Sequence, residues 1–269
     1  MIAPTDAAAA PPAQGASIAL RGVTKRFTTA KGDHHALGPI DIAVAPGEFV
    51  SIIGPSGCGK STTMLIAAGL VPASTGHVEI AGRRLERPLT DVGIVFQDHL
   101  LLDFRTALDN VMLQQQIRRL DRGTTLARAA RLFDRLGLAG AEDRYPRQLS
   151  GGMRQRVSIV RALVHEPSIL LMDEPFGALD AITRTQMQDE LLRIWEQTRK
   201  TVIFITHAIE EAILLSDRVI VMGQGTIAHE VVVDLPRPRS RHDLLSDRRS
   251  LDLMRELEAQ LGPSEGEDH

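Results

Sequence analysis

Residues 49–62 read Phe49-Val50-Ser51-Ile52-Ile53-Gly54-Pro55-Ser56-Gly57-Cys58-Gly59-Lys60-Ser61-Thr62. The mainly apolar run Phe49–Ile53 predicts a short strand, and the pattern over Lys60–Leu70 predicts a helix directly after the loop. Between them stands Gly-x-x-x-x-Gly-Lys-Ser in the strand–loop–helix setting that cradles phosphate. The glycines let the backbone curl so that successive N–H groups point at phosphate oxygens. The helix start adds partial positive charge. Gly54, Pro55, Ser56, Gly57, Cys58, Gly59, Lys60, Ser61 and Thr62 are therefore candidate phosphate-binding residues. Lys60 would reach the β- and γ-phosphates of a nucleotide and Ser61 would ligate Mg²⁺; Thr62 would bond the α-phosphate. Cys58 reads as a small spacer, since no base that would activate a thiolate can be named for it.

Outward from this loop, apolar runs of four to six residues alternate with helical patterns, which predicts an α/β fold with a mainly parallel sheet. Strands are expected at Ile18–Leu20, Ile40–Val44, Val92–Phe96, Ile169–Met172, Val202–Ile205 and Val219–Met222. Helices are expected at Thr106–Arg118, Thr124–Leu136, Gly152–Val164, Ile182–Arg199 and Ile209–Leu215. The stretch from about 97 to 165 has almost no strand pattern and reads as a helical insertion. Four strands end in polar clusters: Gly54 onward, Gln97, Asp173-Glu174 and Thr206-His207. Parallel α/β sheets bind ligands at the C-terminal ends of their strands, so the four clusters are expected to meet at one edge.

Ile169-Leu170-Leu171-Met172 closes on Asp173 and Glu174. In phosphate-loop enzymes the Asp at this place holds the metal, which assigns Asp173 to Mg²⁺. Pro175 biases Glu174 toward an extended backbone that would aim its side chain off the strand end. A carboxylate there can orient and deprotonate a water. A second anion site is read at Leu149-Ser150-Gly151-Gly152-Met153-Arg154-Gln155-Arg156: Ser150 is a good N-cap, and Gly151 and Gly152 expose N–H groups at a helix start.

With that Leu-Ser-Gly-Gly-x-x-Gln-Arg run, the chain resembles the ATP-binding cassette (ABC) ATPases over about residues 18–233. The resemblance implies their phosphate-loop NTPase fold, with a mainly parallel core, an antiparallel β part and a helical subdomain. It implies ATP and Mg²⁺ as cofactors. Gln97 matches the glutamine that touches Mg²⁺ and the attacking water, and His207 the switch histidine at the γ-phosphate. Gly177-Ala178-Leu179-Asp180 matches the loop that is usually Ser-Ala-Leu-Asp, with Gly177 replacing the serine. Phe27 matches the aromatic that stacks on adenine, with a core role as the alternative. Catalysis would then rest on Glu174, His207, Gln97 and Lys60. The metal would rest on Ser61, Gln97 and Asp173. In the family two subunits close head to tail, so Ser150, Gly151 and Gly152 of one face the nucleotide held by Lys60 of the other, and Asp180 is a further candidate nucleotide-binding residue.

The runs Gln97–Leu102, Arg105–Val111, Thr206–Ala212 and Leu235-Pro236-Arg237-Pro238-Arg239 are similar to the nitrate/sulfonate/taurine importer ATPases, although Asp103-Phe104 stands where Pro-Trp is usual. That branch implies transmembrane permease subunits, an indirect periplasmic or extracellular solute-binding protein, a homodimer of the ATPase, and a peripheral place on the cytoplasmic face of the inner membrane. The alternatives are an ATPase of another ABC system, such as an exporter or lipid-extraction complex, and a soluble ABC protein. A single cassette, no coiled-coil insertion and one cysteine disfavour the last.

Composition agrees. Lys plus Arg is 31 and Asp plus Glu is 34, a net charge of −3 that argues against nucleic acid held by charge. One cysteine excludes an internal disulfide. The longest uncharged stretch, Ser61–Val78, is broken by glycine and proline and does not read as a membrane span. Residues 1–16, rich in Ala and Pro, read as a disordered leader. The ATPase domain is expected over 17–234 and a tail over 235–269, with a helix carrying Leu251, Met254, Leu257 and Leu261 before an acidic, frayed end at 262–269.

Overall fold

The computed structural model describes residues 15–29 and 32–261. The expected leader lies outside them except for Gly15 and Ala16, and the acidic end at 262–269 lies outside altogether. Gly15 is buried and its N–H donates to Arg199 O at 3.1 Å, so the chain already packs on the body there.

Two sheets share the work. The long strands β1 (Ile18–Thr29) and β2 (Gly32–Val44) pair antiparallel, with Ile18 opposite Val44. After β3 (Phe49–Ile53) and α1 (Lys60–Ala67), β4 (Thr75–Ile80) and the two-residue β5 (Arg83–Arg84) complete this first sheet in the order β2-β1-β4-β5. Next come β6 (Val92–Val95), α2 (Ala107–Arg118), α3 (Arg122–Arg135), a 3-10 turn at Pro146–Gln148 and α4 (Gly151–Leu163). The chain then runs through β7 (Ile169–Asp173), α5 (Ala181–Thr198), β8 (Thr201–Ile205), α6 (Ile209–Leu215), β9 (Arg218–Gly223), β10 (Thr226–Val232), α7 (Arg241–Ser246) and α8 (Arg248–Leu261). The second sheet has the order β10-β9-β3-β8-β7-β6. Its strands are parallel except β10, which pairs antiparallel with β9.

The apolar runs are continuous because the parallel strands are covered on both faces. Alternate residues serve two cores. Phe49, Leu170, Met172, Val202 and Phe204 join one core with α4, α5, α6 and Leu257 of α8. Val50, Ile52, Leu171, Ile203 and Ile205 join the other with α1 and the inner face of the antiparallel sheet, including Leu20, Ile40 and Val78. Truncating any of these to alanine should cost about 2–5 kcal/mol.

Between β6 and β7 the described residues hold only helices and turns. Buried Asn110 pins the start of this part: its amide donates to the carbonyls of Leu102, Arg105 and Thr106 and accepts from Leu102 N–H. Behind β10, Arg237 stacks on Trp195 at 4.2 Å, and Arg199 approaches the same ring at 4.5 Å. Buried Arg239 donates to the carbonyls of Ile213, Ser216, Val233 and Leu235. Desolvation lowers its pKa to about 10. The Leu235–Arg239 run is thus a structural anchor for α7 and α8.

Several boundaries differ from the sequence reading. The expected strands Ile18–Leu20 and Ile40–Val44 are only the apolar ends of β1 and β2; their outer halves carry Lys25, Arg26, His34 and His35 and face water. Neither β4 nor β10 was expected, because both are largely exposed or half-buried and include His77, Glu79, His229 and Glu230. The first helix ends at Ala67, not Leu70, since Leu70 N–H turns back to Leu65 O at 2.9 Å. Among the described residues no helix is long and apolar enough to cross a membrane.

Candidate active site

The loop after β3 is shaped by its surroundings. Gly54 has φ +154°, and a Cβ there would lie 2.3 Å from Met222 O. Gly59, at φ +100°, abuts Leu37 and Ala36 O so closely that a Cβ would fall 2.4 Å from Leu37 Cδ2. No larger residue fits either place. Buried Lys60 folds back over the loop, its ammonium donating to Gly54 O at 2.7 Å and Pro55 O at 2.9 Å. Cys58 is buried beside it, with Sγ 3.9 Å from Lys60 Nζ. Ser61 is exposed and Thr62 half-buried at the start of α1.

The strand order places β3, β8, β7 and β6 side by side, so the loop, Thr206-His207, Asp173-Glu174 and Gln97 share one edge. Asp173 is buried at the end of β7, close to Ser61 and Lys60. Burial pushes its carboxyl above the usual range, and Glu174 adds to this; the Ser61 hydroxyl and the Lys60 charge oppose it. A buried carboxylate beside a serine hydroxyl is a hard oxygen donor set that fits Mg²⁺.

Glu174 carries two contacts. Gln97 Nε2 donates to its Oε2 at 3.5 Å, and His207 Nδ1 lies 3.5 Å from the same oxygen. Its backbone departs from expectation: φ is +44°, left-handed and not extended. Tertiary bonds override the bias from Pro175. Glu174 N–H donates to Ile205 O at 2.9 Å, and Gly177 N–H closes a turn on Glu174 O at 3.1 Å. A non-glycine residue held there costs about 1–3 kcal/mol and persists where the surroundings over-determine it.

The residues on either side of His207 are fixed by a buried network. Thr206 is buried and donates its hydroxyl to Glu211 Oε2 at 2.6 Å; Gln188 donates to Glu211 Oε1 at 3.0 Å; Ala208 N–H donates to Thr206 Oγ1 at 3.1 Å. Glu211 and Gln188 were missed in the sequence. The only local signal was an acid five residues after Thr206, and Gln188 comes from another helix.

The remaining candidates lie elsewhere. Ser150 caps α4, accepting from Met153 N–H at 3.2 Å. No neighbour stands near a Cβ built at Gly151, whereas one at Gly152 would sit 3.1 Å from Leu179 Cδ2. Asp180 caps α5, and the Thr183 N–H that it accepts holds its carboxyl below the usual range. Neither cap joins the contacts around Lys60 and Glu174. Phe27 is not a core residue: it is 38% exposed on β1, with Lys25 Nζ 4.7 Å from its ring centre. Of the apolar run 100–104, Leu100 is 55% and Phe104 76% exposed, while Leu101 packs on the core.

Residues 37–177 match the family model described as ABC transporter. The chain is 45% identical over 194 residues to the taurine import ATP-binding protein TauB of Escherichia coli (strain K12), covering 72% of this chain and 76% of that one. Over 239 residues it is 41% identical to the nitrate import ATP-binding protein NrtD of Synechococcus elongatus, 87% of each chain. Over 228 residues it is 42% identical to the aliphatic sulfonates import ATP-binding protein SsuB 2 of Pseudomonas aeruginosa, 85% of this chain and 80% of that one. Among solved structures, the dimer of MJ0796, a bacterial ABC transporter cassette, matches with TM-score 0.76 and 33% identity over 81% of this chain and 100% of that one. A dimeric post-hydrolysis state of MJ0796 bound to ADP and Pi matches with TM-score 0.75 and 32% identity, over the same shares of the two chains.

Proposed function

The chain belongs to the ABC transporter family, and on that premise we propose that it is the ATP-hydrolysing subunit that energises uptake of a small anionic solute through a membrane permease. The observation that carries this reading is the edge where Lys60, Ser61 and Asp173 adjoin Glu174, which Gln97 and His207 both approach.

The roles proposed combine that geometry with the family resemblance. The backbone N–H groups of residues 56–62 and the Lys60 ammonium hold the phosphates of ATP. Ser61, Asp173 and the Gln97 amide oxygen hold Mg²⁺, which supplies charge neutralisation at the phosphate oxygens. Glu174 takes a proton from water as the water oxygen attacks the γ-phosphorus, and the bond to the β,γ-bridging oxygen breaks to give ADP and phosphate. His207, beside the fixed Thr206, donates to the γ-phosphate. Exposed Phe27 stacks on adenine.

Ser150, Gly151, Gly152 and Asp180 serve a second copy's nucleotide. Their separation from the Lys60 site supports a head-to-tail homodimer, and the dimeric relatives support it further. The domain boundaries remain part of the proposal: an ATPase domain over 17–234, a helical subdomain over 97–165 and a tail over 235–269. Exposed Leu100 and Phe104 offer the permease a docking surface. We read the chain as peripheral at the cytoplasmic face of the inner membrane, with a solute-binding protein acting on the far side.

Relatives named for taurine, nitrate and sulfonate import support a sulfonate-, taurine- or nitrate-like solute. The test is uptake of each solute by a deletion strain complemented with the wild-type chain or with Lys60→Ala. Restoration by wild type alone is expected; uptake that does not depend on the chain would overturn the reading.

A further inference from the structure

The segment around Gln97 is fastened to helix α4. Gln155, buried on α4, donates to Phe96 O at 3.3 Å. Arg154 Nε donates to His99 Nε2 at 2.8 Å. Arg161, two turns further along α4, donates from Nη2 to His99 O at 3.0 Å and from Nη1 to Leu100 O at 2.7 Å. Arginine only donates, so His99 Nε2 must present its lone pair and the ring must be neutral with its proton on Nδ1. Leu100 is left-handed, with φ +43°. Such a backbone persists only where contacts over-determine it, and the Arg161 bonds do so.

Helix α4 begins at the Ser150 cap. Its N-terminus and the 96–100 segment therefore form one mechanical piece. We propose that His99 is a positioning residue: by accepting from Arg154 it locks the Gln97 segment to the Ser150 helix, so that Gln97 in one nucleotide site and Ser150 facing the other move together. This rests on the two-half-site reading given above. In that reading Ser150 approaches the γ-phosphate bound by the partner copy, and the lock carries the movement to Gln97 beside Glu174. The interaction spans 55 residues of sequence and has no local signature.

The test is steady-state ATP hydrolysis by the full chain as wild type, His99→Ala and His99→Gln, with the melting temperature of each. Alanine removes the acceptor; the glutamine amide oxygen restores it. Because Arg161 still grips the backbone, the expected loss is partial: kcat falls about five- to tenfold in His99→Ala, a hydrogen bond's share of the barrier. The KM for ATP should change by less than about twofold, since nucleotide binding is untouched. His99→Gln should recover most of kcat. A wild type that hydrolyses ATP while His99→Ala is equally fast overturns the lock alone, as does a glutamine variant no better than alanine. Loss of kcat only in step with a fallen melting temperature also overturns it, because that marks a purely structural residue. A wild type without ATPase activity overturns the parent reading and the lock with it.

Discussion

Gln97 Nε2 lies 3.5 Å from Glu174 Oε2, across the ends of the neighbouring strands β6 and β7. The two residues are 77 positions apart in sequence, and all of α2, α3 and α4 lies between them. The contact joins the strand that delivers the proposed general base to the start of the helical part. Any rotation of that part relative to the sheet is therefore felt first at Glu174. This gives the proposed coupling between a membrane partner and hydrolysis a physical seat.

Lys60→Ala should nearly abolish hydrolysis and weaken ATP binding. Hydrogen bonds to charged groups contribute roughly 1.5–3 kcal/mol each, so the loss of one such contact raises Kd about 10- to 100-fold. Titration with a fluorescent ATP analogue, beside a phosphate-release assay, measures both. Near-normal turnover would remove the loop as the phosphate site.

The exposed pair Leu100 and Phe104 should crosslink to the permease. Cysteines placed there report cleanly, because the single native cysteine, Cys58, is 4% exposed. Crosslinking in membranes is expected from both positions and not from a cysteine at Leu101, which packs inward. Absence of crosslinks in every nucleotide state would move the docking surface elsewhere.

Stability should fall on mild acidification because of His165. Its ring is buried, with Nε2 donating to Val92 O at 3.1 Å. Desolvation, reinforced by the charge of Arg118, lowers its pKa from 6.5 to about 4. The folded state thus binds fewer protons than the unfolded state between those values. The stabilisation is complete above 6.5 and is lost as pH falls toward 4. At about pH 5 the loss is roughly 2 kcal/mol. Urea melts of wild type and His165→Gln at about pH 7.5 and pH 5 should show the smaller drop in the variant; equal drops would assign the acid sensitivity to other groups.

Legibility in the sequence tracked how local each feature is. The loop at 54–61 could be read outright, since its glycine, lysine and serine spacing is contiguous in sequence. Strands β3, β7 and β8 could be read because burial on both faces makes them mainly apolar runs. Their shared edge followed from the parallel-sheet rule, and with it the convergence of Gln97, Glu174 and His207. Strand β10 could not be read, since Thr226, Ala228 and Glu230 all face water. The Glu174 backbone departs from the expectation because a local rule about proline lost to the hydrogen bond that its N–H donates to a neighbouring strand. The grip of Arg154 and Arg161 on His99 and Leu100 was invisible for the same reason: its partners meet only after α4 packs against the end of β6.

The most direct test of the shared-site mechanism is size-exclusion chromatography of Glu174→Gln with saturating ATP, paired with its hydrolysis rate. Removing the base should slow hydrolysis about 10²–10⁴-fold while leaving the Lys60 and Asp173 contacts intact. Bound ATP then bridges the Lys60 site of one copy and the Ser150 cap of the other, and nothing clears it. The predicted result is a stable ATP-dependent dimer that returns to monomer when nucleotide is removed. A variant that stays monomeric with ATP bound, or one that hydrolyses at the wild-type rate, would contradict it.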